Sequence, residues 1–102
     1  MKREANKRNL KLMPDYYSYP LWEETEGGYD NVDPAEIPIS PGLKNDLISW
    51  AQKYDDTLDR DDPRQSGFPT PEAEAAFKAE GEALLARLKA ELGQQYIFSV
   101  HI

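Results

Sequence analysis

The chain has no cysteine and a single histidine, His101. Without thiols there is no disulfide, no thiolate nucleophile and no cysteine-ligated metal site. That composition fits a reducing compartment, and a cytoplasmic location is expected. No apolar run approaches the roughly 18–20 residues of a membrane-spanning helix. Lys2, Arg3, Lys7 and Arg8 make a basic start, but no apolar stretch follows, so no secretory leader is expected. Cations are scarce where anions abound. Residues 15–62 hold thirteen acidic side chains and only three basic ones, Lys44, Lys53 and Arg60. Neither direct nucleic-acid binding nor membrane attachment is expected of such a surface, because contact with phosphates needs basic groups.

The same scarcities narrow the chemistry. A Ser–His–acid triad would have to be built around His101. Ser40 looks committed to capping a helix, and Ser18, Ser49, Ser66 and Ser99 lie outside any nucleophile-elbow context. Carboxylates are so common here that pairs of them carry no signal, and a glycosidase would need two across a cleft. Gly27-Gly28 reads as a turn, since no helix and no phosphate-loop lysine follows it. No enzymatic activity and no cofactor are expected.

At 102 residues the chain is sized for one domain. Folding would bury about two-thirds of the unfolded chain's surface. Residues 1–8 read as a disordered basic tail and 9–102 as a single domain. A first strand is expected near 9–13, ended by Pro14. The aromatic run 16–23 reads as a second extended segment, with Pro20 at a sheet edge or bulge. Residues 24–39 read as a long acidic excursion with little helix or strand signal.

Two helices follow. Ser40-Pro41 supplies an N-cap and a first-turn proline, and Leu43, Leu47, Trp50, Ala51, Tyr54 and Leu58 form one apolar stripe. The helix is expected to end near 56–58. Thr70-Pro71 opens the second, with Glu72 and Glu74 at the positive end of its dipole. Its stripe is Ala73, Phe77, Gly81, Leu84, Leu88 and Leu92, and Gly93 is its cap. Gly81 in mid-helix costs about 1 kcal/mol relative to alanine. Close packing of Trp50 or Tyr54 against it would explain its presence. The ending QYIFSVHI alternates as a strand, with Tyr96, Phe98, Val100 and Ile102 on one face. The expected class is α+β: a small antiparallel sheet of about three strands, with two amphipathic helices on one face, in the order β-β-α-α-β.

The aspartates at 55–62 also suggest a calcium loop. Counting from Asp55, an EF-hand would need glycine at Arg60 and glutamate at Ser66, so that pattern fails. No metal ligands are assigned, although a calcium-binding module with an irregular site remains an alternative.

What the acidic stretch offers is a binding surface. A one-sided field costs stability through self-repulsion and steers oppositely charged partners. Acidic loops at 23–36 and 55–62 that shared an edge would present repeated carboxylates interleaved with aromatic groups. Aromatic anchors inside a charged rim are the make-up of protein–protein hot spots. The candidate partner-binding residues are Trp22, Glu23, Glu24, Tyr29, Asp30 and Asp33 from the first loop region. Asp55, Asp56, Asp59, Asp61 and Asp62 come from the second. Trp22 has an alternative place in the core, and Trp50 belongs to the core. An acidic adaptor, or a nucleic-acid mimic bound to a housekeeping basic protein, would use the same surface.

Several runs carry a family resemblance: LWE, GGYDNVDPAEIPIS, LKNDLISWAQKYDDTLDRDDP, SGF and FKAEGEALLARLKAELGQQY. Over about residues 10–97 the chain is similar to small acidic bacterial proteins on the immunity side of toxin–immunity pairs. Those of contact-dependent growth inhibition and related polymorphic toxin systems are examples. The resemblance implies a cytoplasmic protein that binds one cognate toxin domain, often a nuclease and here expected to be basic, and blocks it. No catalytic residue carries over, since such proteins have none.

Overall fold

In the computed structural model, residues 8–58, 61–62 and 67–102 are described. The sheet is built around β1 (Arg8–Leu12). On one side β1 pairs antiparallel with β2 (Leu21–Thr25), Leu12 lying opposite Leu21. On the other it pairs parallel with β4 (Tyr96–Val100), Leu10 lying opposite Phe98. β2 turns into β3 (Gly28–Val32), giving a four-stranded mixed sheet in the order β3-β2-β1-β4.

This corrects the expectation of about three antiparallel strands. β3 lies within the stretch read as an acidic excursion. Its sequence GYDNV contains Asp30 and Asn31, which disfavour strands on their own. Pairing with β2 overrides that preference. Thr25 faces Gly28 across a two-residue turn, where Gly27 adopts φ 101°, a conformation that costs glycine no Cβ clash. Arg8 lies in β1, not in the expected tail; residues 1–7 are outside the described chain. The run 16–23 is extended only from Leu21 onward, because Tyr16–Pro20 form a turn closed by the Met13 N–H donating to the Pro20 carbonyl at 2.9 Å.

Leu10, Leu12, Leu21, Val32 and Tyr96 are buried on one face of the sheet. Against them pack Leu43, Leu47 and Trp50 of α1 (Pro41–Asp55), and Phe77, Leu84, Leu88 and Leu92 of α2 (Pro71–Leu92). Both helices start as their sequence dictates. The Ser40 hydroxyl accepts from the Leu43 N–H at 3.3 Å, and the Thr70 hydroxyl from the Ala73 N–H at 3.0 Å. Between β3 and α1, a short 3-10 turn (Pro34–Glu36) and the buried Ile37 and Ile39 bring the chain back under the sheet. Trp50 is fully buried, stacks on Phe77 with ring centroids 4.5 Å apart, and donates its indole N–H to the Phe77 carbonyl at 3.0 Å. Among the described residues no helix is long and apolar enough to cross a membrane.

Candidate functional site

Alternation along each strand separates the candidate residues. Trp22 and Tyr29 belong to the face of the sheet that the helices leave uncovered. Trp22 is half-buried and donates its indole N–H to the Met13 carbonyl at 3.0 Å. Tyr29 is 49% exposed, with the Lys11 ammonium 4.3 Å above its ring centroid. Glu24 is Tyr29's cross-strand partner on that face.

Glu23 and Asp30 are paired in register on the opposite face. Both carboxylate oxygens of Glu23 accept from the Arg8 guanidinium, which also donates to the Tyr96 hydroxyl at 3.1 Å. Hydrogen bonding from Arg8, more than its charge, holds the Glu23 carboxyl below the usual carboxylate range against the opposing effect of burial. The charge of Glu23 is therefore answered within the fold. Asp46 is likewise answered by Arg87 at 2.6 Å, and Glu80 by Lys53 at 2.9 Å.

At the other end of β2 and β3, the turn before β2 meets the end of α1. The Asp55 carboxylate accepts the backbone N–H of Tyr17 at 2.8 Å, which pins the turn to the helix. Tyr17 sits at φ 57°, unusual for a residue with a Cβ, and its side chain is 62% exposed. The Tyr16 ring stacks on Tyr54 at 4.6 Å. Asn31 locks Tyr19 in place: its side-chain oxygen accepts from the Tyr19 N–H at 2.9 Å, and its amide donates to the Tyr19 carbonyl at 2.7 Å. Asp33 caps the 3-10 turn by accepting from the Ala35 N–H at 2.9 Å. Hydrogen bonding to that same carboxylate, followed by its charge, raises the Tyr19 hydroxyl above its ordinary pKa. A cleft of about 380 Å³ lies between this turn and α1, bounded by Tyr17, Tyr19, Asn31, Ile48, Gln52 and Asp55.

Asp56 is exposed at the end of α1, Asp61 is exposed and Asp62 is half-buried; Asp59 lies outside the described residues. The acidic stretch is thus divided. Asp33 and Asp55 flank the turn-side cleft. Glu24 and Glu26 stand at or beside the hairpin tip, about 13 Å away at 3.3 Å per strand residue. Tyr17 and Tyr19 are among the aromatic groups expected between the acidic loops, and both lie in the turn before β2. Their signal is an aromatic run, YYSYP, interrupted by serine and proline, which places tyrosines in a turn. Among the described residues no group of three or more His, Asp or Glu side chains converges as a metal site. A larger, mainly apolar cleft of about 630 Å³ lies between Phe68, Ala73, Ala76 and Phe77.

The fold and these surfaces define a small two-layer α+β protein that carries exposed aromatic and acidic groups on its loops and on one sheet face. The chain belongs to the Serratia CdiI immunity protein-like family, whose model matches residues 8–101 and so spans all four strands and both helices. The resemblance to immunity proteins of contact-dependent growth inhibition is borne out by that match. No curated protein matches the chain.

Proposed function

We propose that this protein binds a cognate toxin domain in the cytoplasm and neutralises it by contact, through its acidic and aromatic surface and without catalysis. Family membership over residues 8–101 is the observation that carries the reading. The charge distribution supports a basic partner, of which a nuclease toxin is the natural kind, since a nuclease needs cations to hold phosphate. The exposed Tyr29 and half-buried Trp22 supply anchors, and Asp33, Asp55, Asp56, Asp61 and Asp62 supply the field. Masking by an acidic protein steers association and makes its rate salt-dependent.

The test is recovery of the tagged protein from its own cells, followed by mass spectrometry and binding kinetics. A stoichiometric basic domain from the C-terminal end of a large secreted protein supports the reading. Changing Asp59, Asp61 and Asp62 together to Asn is then expected to slow association and flatten its salt dependence. Unchanged rates would remove that loop from the interface. Recovery alone, or with many substoichiometric basic proteins, would favour an adaptor. A melting-temperature rise with millimolar Ca²⁺ would favour a metal-binding module.

A further inference from the structure

We propose that the cleft between the Tyr17–Tyr19 turn and α1 is the receptor for a guanidinium group presented by the toxin domain, with Asp55 as its counter-ion. The proposal rests on the toxin-binding reading and specifies its chemistry.

The cleft has a charged end, an aromatic wall and an apolar floor. Asp55 is the last residue of α1, where the helix dipole opposes a carboxylate. One of its oxygens is fixed by the Tyr17 N–H, so the carboxylate is oriented before any partner arrives. None of the residues lining the cleft is basic. The nearby Lys53 is already engaged with Glu80 across the helix pair. A carboxylate kept half-buried at the negative end of a helix, with no cation among its lining residues, creates a local potential that a cation relieves.

Tyr19 forms the wall and is 40% exposed. Asn31 fixes its backbone from both sides, which makes its position rigid at little entropic cost on binding. Ile48 and Ala51 line the floor, which suits the methylene stem of a long cationic side chain. Arginine matches best: its planar head stacks on a ring while forking onto a carboxylate.

The experiment has two arms. In the first, N-acetylarginine amide is titrated into the isotope-labelled protein. Shifts are expected at the Asn31 and Gln52 side-chain amides and at the Tyr17 backbone amide, and norleucine amide should give none. Asp55→Asn keeps an oxygen to accept the Tyr17 N–H but removes the charge, and is expected to abolish the shifts while leaving the melting temperature in place. Absent shifts, or shifts that persist in Asp55→Asn, overturn the proposal. In the second arm, Asp55→Asn and Tyr19→Ala are each expected to weaken toxin binding by at least roughly tenfold, mainly through faster dissociation. If both variants bind the toxin as tightly as the parent, the proposal fails while the toxin-binding reading stands. If the parent protein binds no toxin, that reading fails and the receptor for this toxin fails with it, whatever the arginine titration shows.

Discussion

Trp50 occupies the space that a side chain at position 81 would need. A Cβ placed on Gly81 would lie 2.6 Å from the Cζ2 atom of Trp50, whose ring is fully buried, stacked on Phe77 and tied to its carbonyl. The glycine is the price of bringing the two helices together through that ring. Gly81→Ala gains about 1 kcal/mol of helix propensity. It also forces a methyl group into a filled core, which costs roughly 1–3 kcal/mol. The Ile102 side chain, 2.5 Å from the same point, can swing aside, but Trp50 cannot without losing its hydrogen bond. The expected outcome is a lower urea midpoint with an unchanged m-value. A midpoint raised by the full propensity gain would mean the helices separate easily.

Acid should loosen the junction between α1 and the end of α2. Glu91 accepts the backbone N–H of Ser40 at 2.6 Å and its hydroxyl at 2.7 Å, while that hydroxyl caps α1. These bonds, the side-chain one first, hold the Glu91 carboxyl below its ordinary range, and Arg8 does the same for Glu23. A carboxyl whose folded pKa is depressed contributes stability above its unfolded pKa, and loses it as pH falls through the folded one. Stability measured by urea titration is therefore expected to decline below about pH 4.5. Glu91→Gln should begin less stable near neutrality and show a shallower acid decline. Parallel pH profiles for the two proteins would contradict the linkage.

The left-handed backbone at Tyr17 separates two substitutions. A residue with a Cβ pays about 1–2 kcal/mol for that conformation, and glycine avoids the strain at an entropic cost of roughly 0.5–1 kcal/mol. Tyr17→Gly should stay within about 1 kcal/mol of the parent. Tyr17→Ile, β-branched and poorly suited to positive φ, should be clearly less stable. Thermal melts of both variants decide it. If Ile is tolerated as well as Gly, the turn has relaxed out of φ 57°.

The central strand should be the most sensitive part of the sheet. Leu12 is fully buried between Leu21 and Val100. Leu12→Ala is expected to cost about 2–5 kcal/mol. Ile97→Ala, on the uncovered face of β4, should cost much less. Comparable losses at the two positions would mean that something covers that face in solution.

The helices were legible because their signals are local. Ser40-Pro41 and Thr70-Pro71 announce the starts, and leucines at helical spacing announce the buried stripes. Even the role of Gly81 was readable, since a glycine on an apolar stripe opposite a tryptophan has few other uses. β3 was illegible because Asp30 and Asn31 argue against a strand, and what makes one is pairing with β2. The direction of β4 was equally hidden: alternation tells which side chains share a face, not which way the strand runs. At the candidate site, the sequence marked Asp55 and Asp33 as acidic but could not place Tyr17 and Tyr19 between them. The bond from the Tyr17 N–H to Asp55 spans 38 positions, and no local pattern encodes it.

The parallel pairing of β1 with β4 also sets a clock. Arg8 and Tyr96, joined side by side in the finished sheet, are 88 positions apart in the chain. On a ribosome, β1 is made before both helices, and its second neighbour is made only after them. Closing so distant a contact is slow compared with forming hairpins and helices. The β2–β3 hairpin and the helix pair can assemble early, but the sheet becomes complete only when the last strand docks. Until β4 has followed α2 out of the ribosome, β1 keeps an open edge and the sheet is unfinished.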